Sequence, residues 1–223
     1  MAAPWMTLGC LLMTLPGPVM AAPTSPPTPP ALTEAETATL VARIQKTYAP
    51  VDTLTASFVQ VTESALYGRD EQVGEILLQR PNRMRWDFAG SGKQYVLDGK
   101  TLWIYQPAQK QVLRFSQIQE QSMIANNLLM SLHKVGDDFD PKALPAETGY
   151  RLQLVPKDPT MRSQVKEIVL ALDDKLALSG LRLVDPMDNV TNLTFRKTRL
   201  GAQVPEGTFT FQVPEGVEII DAG

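Results

Sequence analysis

Few side chains in this sequence have the chemistry of a catalytic or metal-binding site. The chain contains one cysteine, Cys10, and one histidine, His133. These counts argue against zinc clusters of His and Cys, Cys–His nucleophiles, Ser-His-Asp triads and thioredoxin-type redox chemistry. Any chemistry would have to come from carboxylates or from backbone loops.

Two short motifs match ligand-binding loops only in part. Gly90–Lys93 ends like a phosphate loop, but Asp87 stands where that motif has its first glycine, so we interpret the segment as a turn. Asp137, Asp138 and Asp140 lack the glycine and the distal glutamate of a calcium loop, which favours solvated loop acids. A carboxylate pair of a glycosidase is neither excluded nor supported among 24 acidic residues. We therefore predict no enzyme, no metal and no cofactor.

The composition is that of a folded protein. Of the 223 residues, 43% are hydrophobic and 20% are charged, and the net charge is −3. Acidic and basic residues are mixed along the chain, and there is no basic block that could follow a phosphate backbone. We therefore expect one domain, a monomer, and no nucleic-acid partner.

The first 31 residues differ from the rest. A short apolar run followed by Val19–Ala21 is typical of a secretory signal peptide, so we predict that residues 1–21 are removed on export to the periplasm. Prolines dominate residues 22–31, which predicts a polyproline II linker. Residues 32–223 then form a single domain. An alternative is a lipoprotein signal that is acylated at Cys10.

Hydropathy periodicity predicts a strand-rich domain with two helices. A capping-box pattern at Thr33–Glu36 begins an amphipathic helix that Pro50 stops, and an apolar helix is predicted for Gln117–His133. Asp98-Gly99 is typical of a two-residue hairpin turn. Eleven segments alternate with a period of two: 54–65, 73–80, 83–88, 93–98, 101–106, 110–115, 149–155, 165–172, 178–185, 189–197 and 208–213.

This pattern predicts a mainly β fold with helices (α+β), in which about eleven antiparallel strands form a curved sheet. The inserted helix is apolar on a broad arc and must lie against an apolar surface, so we expect it to cross the concave side. The periodicity leaves open whether the space beneath it is filled or hollow.

Four segments carry a resemblance to a known family. Arg80–Trp86 (Arg-Pro-Asn-Arg-Met-Arg-Trp) and Asp98–Pro107 (Asp-Gly-Lys-Thr-Leu-Trp-Ile-Tyr-Gln-Pro) resemble the bacterial outer-membrane lipoprotein carrier protein, LolA. Ala56–Gln60 and Phe209–Val217 agree with it, and the match is collinear along the domain. The resemblance implies an incomplete β-barrel with a helical lid over an apolar cavity that holds acyl chains.

The resemblance also implies partners. They are acylated lipoproteins as cargo, an inner-membrane ABC-type lipoprotein-releasing complex that loads the carrier, and an outer-membrane acceptor lipoprotein. A soluble periplasmic chaperone of this kind makes and breaks no bond. Because lipoprotein receptors and envelope sensors share the fold, a membrane-anchored receptor or a lipid-binding sensor is the alternative.

Site residues follow in part from the resemblance. Arg80 matches a family arginine that is similar to a latch, holding lid oxygens when the cavity is empty; a simple cap of the Pro81 turn is the alternative. Met84 and Trp86 match positions that line the family's cavity. The alternation and the helical face add further cavity residues, and the flexible methionines suit a variable ligand: Phe88, Trp103, Met123, Ile124, Leu128, Leu129 and Met130.

Overall fold

The computed structural model of the protein describes residues 30–116 and 124–222. The predicted signal peptide, Cys10 and most of the predicted linker lie outside the described residues. The first helix, α1 (Glu34–Tyr48), has the capping box that the sequence predicts, with Thr33 as the N-cap and Glu36 returning the bond. Its buried face packs on the sheet.

The sheet has twelve strands, one more than predicted. Their order is β12-β6-β5-β4-β3-β2-β1-β11-β10-β9-β8-β7, and all neighbours are antiparallel except the parallel pair of β12 and β6. The two ends of the sheet do not pair with each other, so the barrel is incomplete. The strands are β1 (Thr53–Ser64), β2 (Gly68–Gln79), β3 (Arg83–Ala89), β4 (Gln94–Leu97), β5 (Leu102–Gln106), β6 (Gln111–Phe115), β7 (Phe139–Leu144), β8 (Tyr150–Pro156), β9 (Glu167–Leu172), β10 (Leu178–Val184), β11 (Val190–Leu200) and β12 (Glu218–Asp221).

Two strand predictions are wrong. The segment 136–148 was expected to lack strands, yet it contains β7, an edge strand that pairs only with β8. The predicted strand 208–213 is not a strand: the Thr208 and Thr210 amides donate to the carbonyls of Pro205 and Gly207, three residues earlier, as in turns. The last strand is instead β12, which lies against β6 at the far edge of the sheet.

The inserted helix is shorter than predicted within the described residues. Helix α2 (Ile124–Met130) ends where the Ser131 amide and hydroxyl both bond back to the Asn127 carbonyl, and a 3₁₀ turn (Leu132–Lys134) follows. The part of the prediction from Gln117 to Met123 lies outside the described residues. Two short helices complete the fold: α3 (Val135–Asp138) and α4 (Pro159–Gln164).

The core lies between the sheet and the helices. One buried cluster joins the helices to the inner face of the sheet. It includes Leu40 and Ile44 of α1, Leu128 of α2 and Leu132 of the 3₁₀ turn. The Tyr48 hydroxyl anchors the end of α1 by donating to the Leu176 carbonyl at 2.9 Å, and burial raises the Tyr48 pKa. In the part of the chain that the structure describes, none of the helices is long and apolar enough to span a membrane.

Candidate functional site

Strand β3 brings the motif residues to the inner face. Met84, Trp86 and Phe88 are buried there, whereas Arg85 and Asp87 point to the outer face and form a 2.7 Å ion pair. Alternate residues of a strand lie on opposite faces, so a run of large apolar residues at every second position produces a continuous apolar wall. This wall faces α1 and α2.

An aromatic cluster extends the wall across neighbouring strands. Phe58 of β1 packs edge-on against Trp86 and Phe88, with ring centroids 4.9 and 5.3 Å away, and Phe88 meets Tyr95 of β4 at 5.1 Å. Gly74 of β2 makes room for the Phe58 ring, because a Cβ there would lie 2.9 Å from its Cζ. Phe58 lies in the segment Ala56–Gln60 that carries the resemblance, but neither Phe58 nor Tyr95 is among the predicted cavity residues; their inward register on β1 and β4 was the available signal.

Helix α2 packs on the sheet at β2 and contributes to the same core cluster as this wall, in the position of a lid. Leu128 and Leu129 are buried against the sheet, and Met130 is partly buried at the edge of the core. Ile124 begins the helix, and Met123 lies outside the described residues. We use the word lid for α2 together with the 3₁₀ turn that follows it.

One lid residue is unexpected on an apolar face. Asn126 is only 6% exposed, and its Oδ1 has no hydrogen-bond partner. A buried acceptor without a partner costs about 1–3 kcal/mol. The closed lid therefore carries an unfavourable contribution that sequence reasoning missed, because helical spacing alone does not show which polar side chain is turned inward.

Trp103 does not belong to the inner wall, which corrects its predicted role. Residues directly opposite one another in a sheet share a face. Met84 is opposite Leu97, which is opposite Leu102, whereas Trp103 is opposite Val96 on the other face. There its ring stacks on Phe211 of the C-terminal segment at 5.7 Å.

Arg80 lies at one end of the lid, just before the turn between β2 and β3. Its side chain is 19% exposed, and Nη2 donates to the Ala49 carbonyl at 2.9 Å and contacts Asp52 at 3.3 Å. Its Nε is buried without a partner. The guanidinium therefore holds the loop between α1 and β1, and its recorded hydrogen bonds do not reach the lid in this conformation.

A small cavity lies where Arg80, the lid and the α1–β1 loop meet. Its volume is about 10 Å³, which is room for about one water molecule, whereas a cavity of about 150 Å³ is needed for benzene. Burial lowers the pKa of His133 at this cavity, and the positive charge of Arg80 lowers it further. The cavity is lined by Tyr48, Val51, Asp52, Thr53, Leu54, Arg80, Leu129, Met130, Leu132 and His133.

Comparison with known proteins places this architecture in a family. The family model described as outer membrane lipoprotein carrier protein LolA matches residues 49–212. The outer-membrane lipoprotein carrier protein of Alkalilimnicola ehrlichii is 30% identical over 193 residues, which is 85% of this chain and 87% of that protein. The chain belongs to the LolA family. The carrier protein of Methylococcus capsulatus is 30% identical over 76% of this chain and 81% of its own length.

A solved structure has a fold similar to that of this chain. A conserved protein from Thermus thermophilus matches with a TM-score of 0.51 and 14% identity, over 83% of this chain and 99% of that one. The expected open antiparallel sheet with a helical lid is thus confirmed for this LolA-family chain. Among the described residues there is no group of three or more His, Cys, Asp or Glu that could hold a metal ion.

Proposed function

We propose that this LolA-family chain is a periplasmic carrier that shields the acyl chains of lipoproteins between the inner and outer membranes. The observation that carries the proposal is the buried apolar wall of Met84, Trp86 and Phe88 under a short helical lid. Each buried methylene is worth about 0.8 kcal/mol, so acyl chains leave a bilayer only when another apolar surface receives them.

We interpret the burial of Leu128 and Leu129 of α2 in the core as the closed, unloaded state of such a carrier. The cavity of about 10 Å³ beside the lid cannot admit an alkyl chain, so cargo that enters at this point displaces the lid. A closed lid keeps a large apolar surface from water while no cargo is bound, which limits aggregation. The unpaired Oδ1 of Asn126 makes the closed state less favourable and thus eases opening.

Arg80 supports the closed state from the side. It ties the β2–β3 turn to the Ala49 carbonyl at the end of α1, next to Met130 and His133 of the lid. A guanidinium at the rim of an apolar wall is a poor neighbour for an acyl chain, because burial of an unpaired charge is costly. The charge of Arg80 therefore disfavours a bound acyl chain and favours release of cargo.

Export, loading and unloading complete the proposal. A cleaved signal peptide over residues 1–21 delivers the chain to the periplasm, an ABC-type inner-membrane complex loads it, and an outer-membrane acceptor receives the lipoprotein. No covalent step is involved.

A membrane-anchored receptor or a lipid-binding sensor of the same fold is the second candidate, and it requires acylation of Cys10. A mature N-terminus at Ala22, read by mass spectrometry, rejects the anchored form.

Native mass spectrometry of protein isolated from its host tests the carrier proposal. Arg80→Leu removes the charge at the rim of the wall and the bond to the Ala49 carbonyl, and it is expected to retain more bound lipoprotein than the wild type. Arg83→Leu is the matched control, because Arg83 is exposed and follows Arg80 by three residues. The absence of lipoprotein or lipid from both variants and the wild type overturns the carrier proposal.

A further inference from the structure

Three large apolar side chains stand out on the surface of the described residues. Tyr67 is 88% exposed, Leu66 is 82% exposed and Met187 is 74% exposed, well above the other exposed apolar residues. Tyr67 and Leu66 lie in the turn between β1 and β2, and Met187 lies in the turn between β10 and β11. Neither turn was identified from the sequence.

The strand register brings these two turns together. Glu63 of β1 is directly opposite Val190 of β11, so the turns that follow and precede these residues leave the same end of the sheet side by side. On its other side β2 pairs with β3 only from Val73 onward, so the end of the β1–β2 hairpin projects beyond β3. Residues 64–68 and 185–189 thus form one projecting feature, which we call the double-turn tip.

Both turns are fixed by side chains. Ser64 Oγ accepts the backbone amides of Leu66 and Tyr67 at 3.3 and 3.4 Å. The Asp185 carboxylate accepts the amides of Met187 and Asn189 at 2.8 and 2.9 Å. A surface that is ordered before binding loses less conformational entropy on association. The three apolar side chains are therefore held on a rigid support, as anchor residues of an interface are.

The charges around the tip distinguish between two kinds of partner. Carboxylates outnumber cations there, and the cations at or beside the tip are already paired: Arg69 with Glu71 at 3.1 Å, Lys166 with Asp188 at 2.6 Å and Arg182 with Glu167 at 3.0 Å. Anionic membrane surfaces attract clusters of Lys and Arg and repel carboxylates. Protein interfaces instead match an acidic rim with a basic one. The carboxylates at the tip are Glu63, Asp70, Glu71, Asp185 and Asp188.

We propose that the double-turn tip docks a protein partner that offers an apolar socket rimmed by Lys and Arg. The partner acts at the inner membrane, where cargo is loaded, and this inference rests on the proposed carrier function. The tip is separate from the lid and from Arg80, which lies at the end of β2 that is far from Gly68. Docking through the tip leaves the lid free to open toward the incoming acyl chains.

A loading assay tests the tip. Inner-membrane vesicles from the host, supplied with ATP, are mixed with the full-length mature chain, and the lipoprotein released into the carrier is measured over time. The variant carries Leu66→Ser, Tyr67→Ser and Met187→Ser, and Val155→Ser on β8 is the control for loss of an exposed apolar residue. We expect the triple variant to load at least about tenfold more slowly at low carrier concentration and to recover at high concentration, because docking rather than cargo binding is weakened.

A charge variant provides an independent readout. Asp70→Lys with Glu71→Lys reverses two rim charges and leaves the three apolar anchors in place. We expect slower loading and a smaller dependence of the loading rate on salt than in the wild type, because steering between opposite charges is screened by salt.

The outcomes separate the two proposals. Loading of the triple variant at the wild-type rate overturns the docking surface but not the carrier function. A wild type that receives no lipoprotein overturns the carrier function and the docking partner with it. The wild type and the triple variant are also mixed with protein-free vesicles of phosphatidylethanolamine and phosphatidylglycerol. If the wild type floats with the vesicles and the triple variant does not, the tip binds lipid, and the proposal of a protein partner is overturned. Slower loading of the triple variant, with flotation that is the same for variant and wild type, supports the proposal.

Discussion

Arg80 Nη2 donates a 2.9 Å hydrogen bond to the carbonyl of Ala49, the C-cap residue of α1. Carbonyls at the end of a helix have no helical donor, so this bond satisfies an acceptor that would otherwise depend on solvent. The Arg80 amide also donates to the Asp52 carbonyl at 2.8 Å. The end of β2 and the exit of α1 are therefore fastened together beside the lid.

Replacing Arg80 with lysine tests how much the guanidinium contributes to the closed state. Arg80→Lys is expected to lower the free energy of unfolding by about 1–2 kcal/mol, because a charge-assisted hydrogen bond to a backbone carbonyl is lost or lengthened. Urea unfolding followed by tryptophan fluorescence measures this. Arg83→Lys, at an exposed position, is expected to change the free energy by less than about 0.5 kcal/mol. Equal losses in the two variants would contradict the role of the Ala49 contact.

The pH dependence of stability is expected to involve His133. Burial and the nearby Arg80 lower its pKa below 6.5, so in mildly acidic solution the unfolded chain binds a proton that the folded chain does not. The free energy of unfolding therefore falls as the pH decreases through about 6.5, and the pH-dependent loss continues down to the lowered folded pKa. His133→Gln removes this dependence. Urea unfolding from about pH 7.5 to 5.5 separates it from carboxylates such as Asp98 and Asp185, whose pKa values are lowered from 3.8.

Gly74 determines how closely β2 approaches the aromatic cluster. A Cβ at this position would lie 2.0 Å from the Asp87 carbonyl oxygen, which belongs to the backbone and cannot rotate away. Gly74→Ala is therefore expected to lower the free energy of unfolding by about 1–3 kcal/mol or more. Gly180→Ala is the matched control, because a Cβ there meets its nearest atom at 3.3 Å. Thermal unfolding that shows the same loss for both variants would refute the steric argument.

Much of the sheet could be predicted because one face of each strand is buried. Strand β3 shows this well: Met84, Trp86 and Phe88 alternate with Arg85 and Asp87, and the period fixes both the strand and its inward face. The same reasoning failed for Trp103, because β5 has apolar residues on both faces. Only the pairing with β4 shows that Trp103 lies outside.

Edge elements were harder to predict, for physical reasons. Strand β7 pairs on one side only and contains Pro141; its burial does alternate, but a proline within such a run argues against a strand when only the sequence is considered. In the C-terminal segment Phe209 and Phe211 do alternate, but Phe211 stacks on Trp103 of the outer face without strand pairing. Alternation indicates which side chains are buried. It does not indicate whether the backbone forms the hydrogen bonds of a strand with a neighbouring strand.

The filling of the interior was beyond prediction because it depends on collective packing. The sequence left open whether the lid covers a hollow; among the described residues, Leu128 and Leu129 of the lid are buried in the same core cluster as the wall. An inward polar residue such as Asn126 becomes visible only when the helix is placed on the sheet. The balance between open and closed forms is therefore a property of contacts that no single motif encodes.

Replacing Asn126 with leucine tests that balance directly. The side chains are similar in size, and Asn126→Leu removes the unpaired Oδ1 from an apolar surrounding, so the free energy of unfolding is expected to rise by about 1–3 kcal/mol. A more stable closed lid should also slow the entry of acyl chains, which stopped-flow quenching of tryptophan fluorescence by a brominated fatty acid measures. Ala125→Leu, at a partly buried position of the same helix, is the control for added apolar surface. A destabilised Asn126→Leu variant, or faster entry than in the wild type, would show that Asn126 favours the closed state instead.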